Sequence, residues 1–70
     1  MSKNKIKITG IVIKVLGKGK FLVEYQEQQI ECYPAGKMRK FFIRIIEGDK
    51  VDVELSPYDL KRGRIIYRYK

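Results

Sequence analysis

Seventy residues carrying 16 Lys or Arg against 8 Asp or Glu make one small domain with a formal net charge of +8. With no histidine and a single cysteine, Cys32, the sequence excludes an internal disulfide, a Cys–His nucleophile pair and the usual zinc-ligand spacings. No apolar run approaches the length of a membrane-spanning helix.

The charges fall in blocks. Residues 1–23 carry Lys3, Lys5, Lys7, Lys14, Lys18 and Lys20 and no acid. Residues 32–46 carry Lys37, Arg39, Lys40 and Arg44, and residues 60–70 carry Lys61, Arg62, Arg64, Arg68 and Lys70, again without an acid. Every carboxylate lies between Glu24 and Glu31 or between Glu47 and Asp59. Solubility alone is served by intermixed charge. Segregated blocks produce one-signed fields if they meet in space, and such fields attract nucleic acid or anionic membranes.

In chain order, residues 1–5 are polar and basic and read as a mobile tail, leaving 6–70 as the folded domain. The opening Met-Ser-Lys-Asn-Lys leads straight into an alternating strand without an apolar h-region, so no secretory signal is expected. Ile6 and Ile8 share a face opposite Lys7, but beyond Gly10 the apolar set moves to Ile11, Ile13 and Val15. A one-residue change of phase turns every side chain to the other face, so a bulge or bend is expected at Gly10. A long bent first strand can pair with both halves of a small closed barrel. Leu16–Lys20 is a turn whose glycines lack the spacing of a phosphate-binding loop. Phe21 to Tyr25 alternates as a second strand, Gln26 to Gln29 is a polar hairpin loop, and Ile30 to Tyr33 is a third strand stopped by Pro34.

Gly36 to Ile45 is the only segment with a helical period. Met38, Phe41, Phe42 and Ile45 fall at i, i+3, i+4 and i+7 on one face, and Lys37, Lys40 and Arg44 project from the other, with Arg39 on the flank. Ile43 leaves the stripe, so the helix is expected to fray or end there. Phe41 and Phe42 are expected in the core, and the four cations read equally as a solvated face or as part of an anion-binding face. Glu47-Gly48-Asp49 is turn chemistry, and Lys50 to Leu55 is a strictly alternating strand. Ser56 to Gly63 reads as a compact loop. Arg64 to Tyr69 closes as a fifth strand, with Arg64, Ile66 and Arg68 on one face and Ile65, Tyr67 and Tyr69 on the other. The expected fold is therefore all-β: a five-stranded OB-fold barrel with a short helix between strands 3 and 4. An SH3-like barrel is the runner-up, though it needs no helix at that point. Closure removes the exposed strand edges so small a sheet would otherwise carry.

Catalytic chemistry is not legible in these residues. Ser2 and Ser56 have no base partner, and Glu24 with Glu31, or Asp52 with Glu54, read as outward strand positions. Cys32 reads as a small apolar strand residue, and an unpaired cysteine suits a reducing compartment. The expectation is a non-enzyme without cofactor or metal. What remains is aromatics among cations: Tyr33, Phe41, Phe42, Tyr58, Tyr67 and Tyr69 beside Lys37, Arg39, Arg62, Arg64 and Arg68. Stacking platforms next to phosphate-binding cations are what gripping RNA requires. Arginine forks suit phosphate, which ranks Arg39, Arg44, Arg62, Arg64 and Arg68 above the lysines.

Gly-Lys-Met-Arg-Lys at 36–40, Ile-Arg-Ile at 43–45, Gly-Asp-Lys-Val at 48–51, Val-Glu-Leu-Ser-Pro-Tyr-Asp-Leu at 53–60 and Lys-Arg-Gly-Arg-Ile at 61–65 resemble bacterial translation initiation factor 1. With Gly10-Ile11-Val12 and Phe21-Leu22-Val23, the resemblance covers nearly the whole chain. It implies an oligonucleotide-binding barrel that binds 16S ribosomal RNA around the decoding adenines, at the aminoacyl-tRNA site of the small ribosomal subunit. Its implied partners are that RNA, adjacent ribosomal proteins and the other initiation factors, and it implies a monomer in the cytoplasm or a plastid stroma. Carried over by position, Lys37, Met38, Arg39 and Lys40 are the expected rRNA contacts, joined by Arg44, Tyr58, Lys61, Arg62, Arg64 and Arg68. The chain departs from the family pattern at Cys32-Tyr33-Pro34-Ala35, where a histidine commonly stands shortly before the glycine-lysine run; Tyr33 is the residue available to replace it.

Two other functions fit a basic barrel. A cold-shock-type RNA chaperone would carry dense surface aromatics on strands 2 and 3, which here hold Phe21, Tyr25 and Tyr33. A basic protein-interaction module docking on an acidic partner would share the charge but not the footprint on ribosomal subunits. A membrane-surface role lacks the apolar, Trp- or Leu-rich amphipathic face it needs.

Overall fold

Alternation decides the barrel. Val51, Val53 and Leu55 turn inward from one strand and meet Ile8 and Val12, Val23, Ile30 and Cys32, and Ile65 from the others, all buried in a single cluster. Each fully buried aliphatic side chain of this kind contributes about 1.5–3 kcal/mol relative to exposure. The computed structural model describes residues 5–17, 19–36, 38 and 44–69. Its strands are β1 (Ile6–Gly17), β2 (Lys20–Tyr25), β3 (Gln28–Pro34), β4 (Lys50–Ser56) and β5 (Asp59–Arg68). They close in the order β1-β2-β3-β5-β4, with β3–β5 parallel and the other pairs antiparallel. This is consistent with the OB-fold expected from the strand pattern. β1 pairs with β4 through Ile6–Ile11 and with β2 through Ile11–Gly17, so one long strand does serve both halves of the sheet.

The helix between the third and fourth strands is not supported. No helical element forms among the described residues: Gly36 and Met38 have helical backbone, and the Met38 N–H donates to the Ala35 carbonyl at 2.9 Å, but Arg44–Ile46 has no regular structure. Lys37 and residues 39–43, including Phe41 and Phe42, lie outside the described residues. The apolar spacing still has a physical counterpart, because Met38 and Ile45 are both buried in the core cluster. Residues 1–4 of the expected tail also lie outside the described residues.

Gly10 is not a bulge. Ile8, Gly10 and Val12 are buried in one unbroken phase, whereas Ile11 and Val15 are 42% and 45% exposed. The extra residues of β1 are Ile13 and Leu16, where the register against β2 slips. Glycine is needed at position 10 for close approach instead: a Cβ there would lie 2.6 Å from the Glu24 carbonyl oxygen and 2.7 Å from Val23 Cγ1. The change of phase read from Ile11, Ile13 and Val15 falls at Ile13 instead: Ile11 lies opposite the outward Glu24, and Val15 opposite Phe21, which packs against the core.

The expected loop over 56–63 shrinks to a turn at Pro57–Tyr58, with β5 starting at Asp59. Gly63 is buried in mid-strand, paired with Cys32 on one side and Leu55 on the other. A Cβ on it would overlap Val53 Cγ1 and come within 2.9 Å of Leu55 Cδ2. β5 also carries a bulge that the alternation hid. Ile65 pairs with Val53 but Tyr67 with Asp52, leaving Ile66 as the extra residue. Arg64 and Arg68 therefore do not share a face: Arg64 is opposite the outward Glu54, and Arg68 is opposite the inward Val51. The β2–β3 loop narrows to Gln26 and Glu27, whose φ values of 49° and 64° suit a tight two-residue hairpin.

Candidate nucleic-acid interface

Register assembles the site. On the outside of the barrel Tyr33 of β3 lies beside Arg64 of β5, Arg64 beside Glu54 of β4, and Glu54 beside Lys7 of β1. One row thus crosses four strands with an aromatic, two cations and a single acid. About 7 Å further along β4, two strand residues on, a second outward row holds Thr9, Asp52 and Tyr67.

The first row borders an open groove of about 380 Å³ whose wall includes Lys5, Tyr33, Glu54, Asp59, Arg62 and Arg64. Arg64 Nη2 donates to Glu54 Oε1 at 2.8 Å, and Lys5 Nζ stands 3.9 Å from the same oxygen. The Arg64 hydrogen bond holds the Glu54 carboxyl below its ordinary range, and Glu54 in turn raises the Arg64 guanidinium above its own. Arg62 is exposed beside Glu31, whose carboxylate takes Lys20 at 3.4 Å. Tyr33 is half exposed, and Tyr58 is almost wholly so at 93%, raised on the β4–β5 turn where its backbone N–H donates to Ser56 Oγ. Lys61 is exposed next to that turn, its N–H held by Asp59 Oδ1.

In the second row Asp52 faces outward yet is buried, because side chains close over it. Thr9 Oγ1 donates to Oδ1 at 2.7 Å, and the Tyr69 hydroxyl lies 2.9 Å from both carboxylate oxygens. That carboxylate pushes the Tyr69 hydroxyl above its ordinary pKa. The Tyr67 and Tyr69 rings meet edge to face with centroids 4.9 Å apart, and Lys50 Nζ sits 5.2 Å over Tyr69. The outer face of β4 with its neighbours therefore interleaves tyrosines and cations, as the composition of the segments suggested.

The expected site residues divide. Tyr58, Lys61, Arg62 and Arg64 come together around the β4–β5 turn and the groove. Arg44 is exposed on the segment leading into β4. Arg68 stands apart on the inward phase at the barrel rim, its Nε donating to Asp49 Oδ2 at 2.9 Å. Asp49 also accepts the Ile46 N–H, and that backbone bond, ahead of Arg68, holds its carboxyl low. Met38 is 3% exposed and presents almost no side-chain surface. Lys37, Arg39 and Lys40 lie outside the described residues. Sequence reasoning overlooked Glu54, Asp52, Thr9 and Lys7; strict alternation from Lys50 to Leu55 marked the two acids as outward, but only cross-strand register shows what they meet. The aromatics Phe21 and Tyr25 pack against the core, so the outer side of β2 and β3 offers Leu22, Glu24, Glu31 and Tyr33 rather than a field of rings.

Cys32 is fully buried between Phe21 and Gly63 in the sheet. Burial pushes its thiol up to about 12.

The model of the translation initiation factor 1A / IF-1 family matches residues 2–70. The solution structure of translation initiation factor 1 from the Wolbachia endosymbiont strain TRS of Brugia malayi is similar at 44% identity and a TM-score of 0.81, covering 99% of this chain and 83% of that one. The crystal structure of YjeQ from Thermotoga maritima is similar at 27% identity and a TM-score of 0.73, covering 93% of this chain but 23% of that one. A family model spanning the barrel from before β1 to the last residue, and a solved member with the same fold, agree with the motifs and their order: the chain belongs to the translation initiation factor 1A / IF-1 family.

Proposed function

We propose that the chain is a non-enzymatic translation initiation factor that binds 16S rRNA at the aminoacyl-tRNA site of the small ribosomal subunit and assists the other initiation factors. It works as a monomer in the cytoplasm, or in the stroma if plastid-encoded. The observation that carries this reading is the tyrosine-and-arginine outer face around Tyr33, Arg62 and Arg64 on a barrel of this family. Arg62, Arg64 and Lys61 contact phosphates, while Tyr58, being free of the core, stacks on a base. Lys37, Arg39, Lys40 and Arg44 are further rRNA contacts, and Met38 is anchored in the core. Arg68 acts at the rim, where phosphate competes with Asp49 for its guanidinium.

Co-sedimentation with isolated small subunits tests the reading, with and without the other factors and with tRNA in the aminoacyl site as competitor. Binding is expected, excluded by that tRNA, with a log–log salt slope of about −3 to −5 if roughly five phosphates are neutralised. Simultaneous occupancy with the tRNA, or a slope near zero, would overturn it.

A further inference from the structure

A basic face has no electrostatic need of an acid at its centre, yet Glu54 stands between Arg64 and Lys7, with Lys5 at 3.9 Å. Stability accounts for little of it. The Glu54 side chain is 27% and the Arg64 side chain 40% exposed, and ion pairs that open to solvent contribute little net free energy. Solubility does not account for it either in a chain of net charge +8. Glu54 Oε1 takes Arg64 and Lys5, while Oε2 accepts no hydrogen bond among the described residues. An ionised carboxylate has room for about four hydrogen bonds. The wall of the groove therefore combines a guanidinium paired through one of its five N–H donors and an acceptor with spare capacity.

We propose that Glu54 is a selectivity residue of the RNA-binding face: it occupies Arg64 against generic polyanions and yields it to an RNA that presents hydrogen-bond donors beside the phosphate. The proposal rests on the RNA-binding reading above. A phosphate that approaches Arg64 alone brings its negative charge next to the Glu54 carboxylate, and the repulsion offsets the attraction to Arg64. An RNA that places a 2′-hydroxyl or a base amino group against Oε2 satisfies that acceptor and keeps the Arg64 contact. Glu54 stays ionised at neutral pH because the Arg64 hydrogen bond holds its pKa low. The half-exposed pair can open at little cost, so the filter works without unfolding any element.

The test compares the wild type with Glu54→Gln on two probes, poly(dT), a single strand with neither a 2′-hydroxyl nor a base amino group, and isolated small subunits, at one fixed salt concentration. Glu24→Gln is the control of equal charge change, because Glu24 is exposed on β2 and does not line the groove. Glu54→Gln is expected to tighten poly(dT) binding about fivefold or more and to steepen its salt slope by about 0.7, one further phosphate on a single strand. Its binding to small subunits should stay level or weaken, and Glu24→Gln should move both by less than about twofold. Unchanged poly(dT) affinity, equal gains on both probes, or equal effects of the two substitutions would overturn the proposal. Glu54→Thr, which suits a strand, is held to the same outcomes should the glutamine variant fail to fold. Failure of the wild type to bind small subunits would overturn the functional reading itself, whereas equal gains alongside wild-type binding would overturn the selectivity role alone.

Discussion

Gly10→Ala adds one methyl group to the buried side of β1 where the strand passes from β4 to β2. The new Cβ would lie 2.6 Å from the Glu24 carbonyl oxygen and 2.7 Å from Val23 Cγ1. Neither neighbour gives way easily. Val23 is fully buried, and the Glu24 backbone is held in the ladder opposite Ile11. The φ of Gly10 is not in the left-handed region, so no conformational strain is involved. On chain entropy alone, alanine would stabilise by about 0.4–1 kcal/mol. Overpacking a well-filled core costs about 1–3 kcal/mol, and a backbone oxygen as neighbour places this site toward the upper end. The net loss is about 2 kcal/mol, out of roughly 4–10 kcal/mol for a chain of this size. At about 4–8 °C per kcal/mol, the Tm should fall by about 8–16 °C. The assay is a thermal melt with a urea titration, with Gly36→Ala beside it. Nothing among the described residues lies within 4 Å of a Cβ at Gly36, so that variant should match the wild type or exceed it slightly. A Gly10→Ala melt at or above the wild type, or an equal fall for Gly36→Ala, would refute the close-approach reasoning.

Cys32 should resist iodoacetamide at pH 8 in the folded protein and react on addition of denaturant, read by intact mass, because burial holds its thiol near 12. Asp49 and Glu54 have lowered carboxyl pKa values, so the unfolded chain binds their protons first. The stability they contribute is present above the ordinary carboxylate range and is lost as pH falls through their folded values. Tyr69 is raised above 10.0, so its contribution is present below that pH and is lost as pH rises through the folded value. Urea melts across the acid and alkaline limbs should show both losses, and Arg64→Ala should flatten the acid one. Arg39→Ala should weaken small-subunit binding about tenfold, one charged hydrogen bond's worth. It should shift stability by no more than about 0.5 kcal/mol, as at ordinary surface positions. Phe42→Ala, read from the sequence as core, should instead cost about 3–5 kcal/mol and lose binding only through unfolding, which paired melts and titrations separate.

Alternation at Lys50–Leu55, Phe21–Tyr25 and Ile30–Tyr33 was enough to mark three of the five strands, because period-two burial is a local property that one strand displays by itself. The clustering of cations with tyrosines and the absence of histidine were equally plain, being composition. What the sequence could not display was register. Ile13, Leu16 and Ile66 slip the ladders by one residue each, and a slip depends on the partner strand rather than on the residue that causes it. Hence Arg68, which alternation grouped with Arg64, turns to the rim and Asp49, and Gly10 proved to be a matter of clearance from Glu24 rather than a bulge. The helical period at 36–45 correctly marked Met38 and Ile45 as core positions, while a helix is not supported among the described residues. Glu54 is the clearest case. In the chain it is one acid in an alternating strand, and only closure of β1 and β5 on either side of β4 gathers Lys5, Lys7 and Arg64 around it. Lys5 and Lys7 stand far from Glu54 and Arg64 in the sequence, so the field that Glu54 meets is a property of the closed sheet alone.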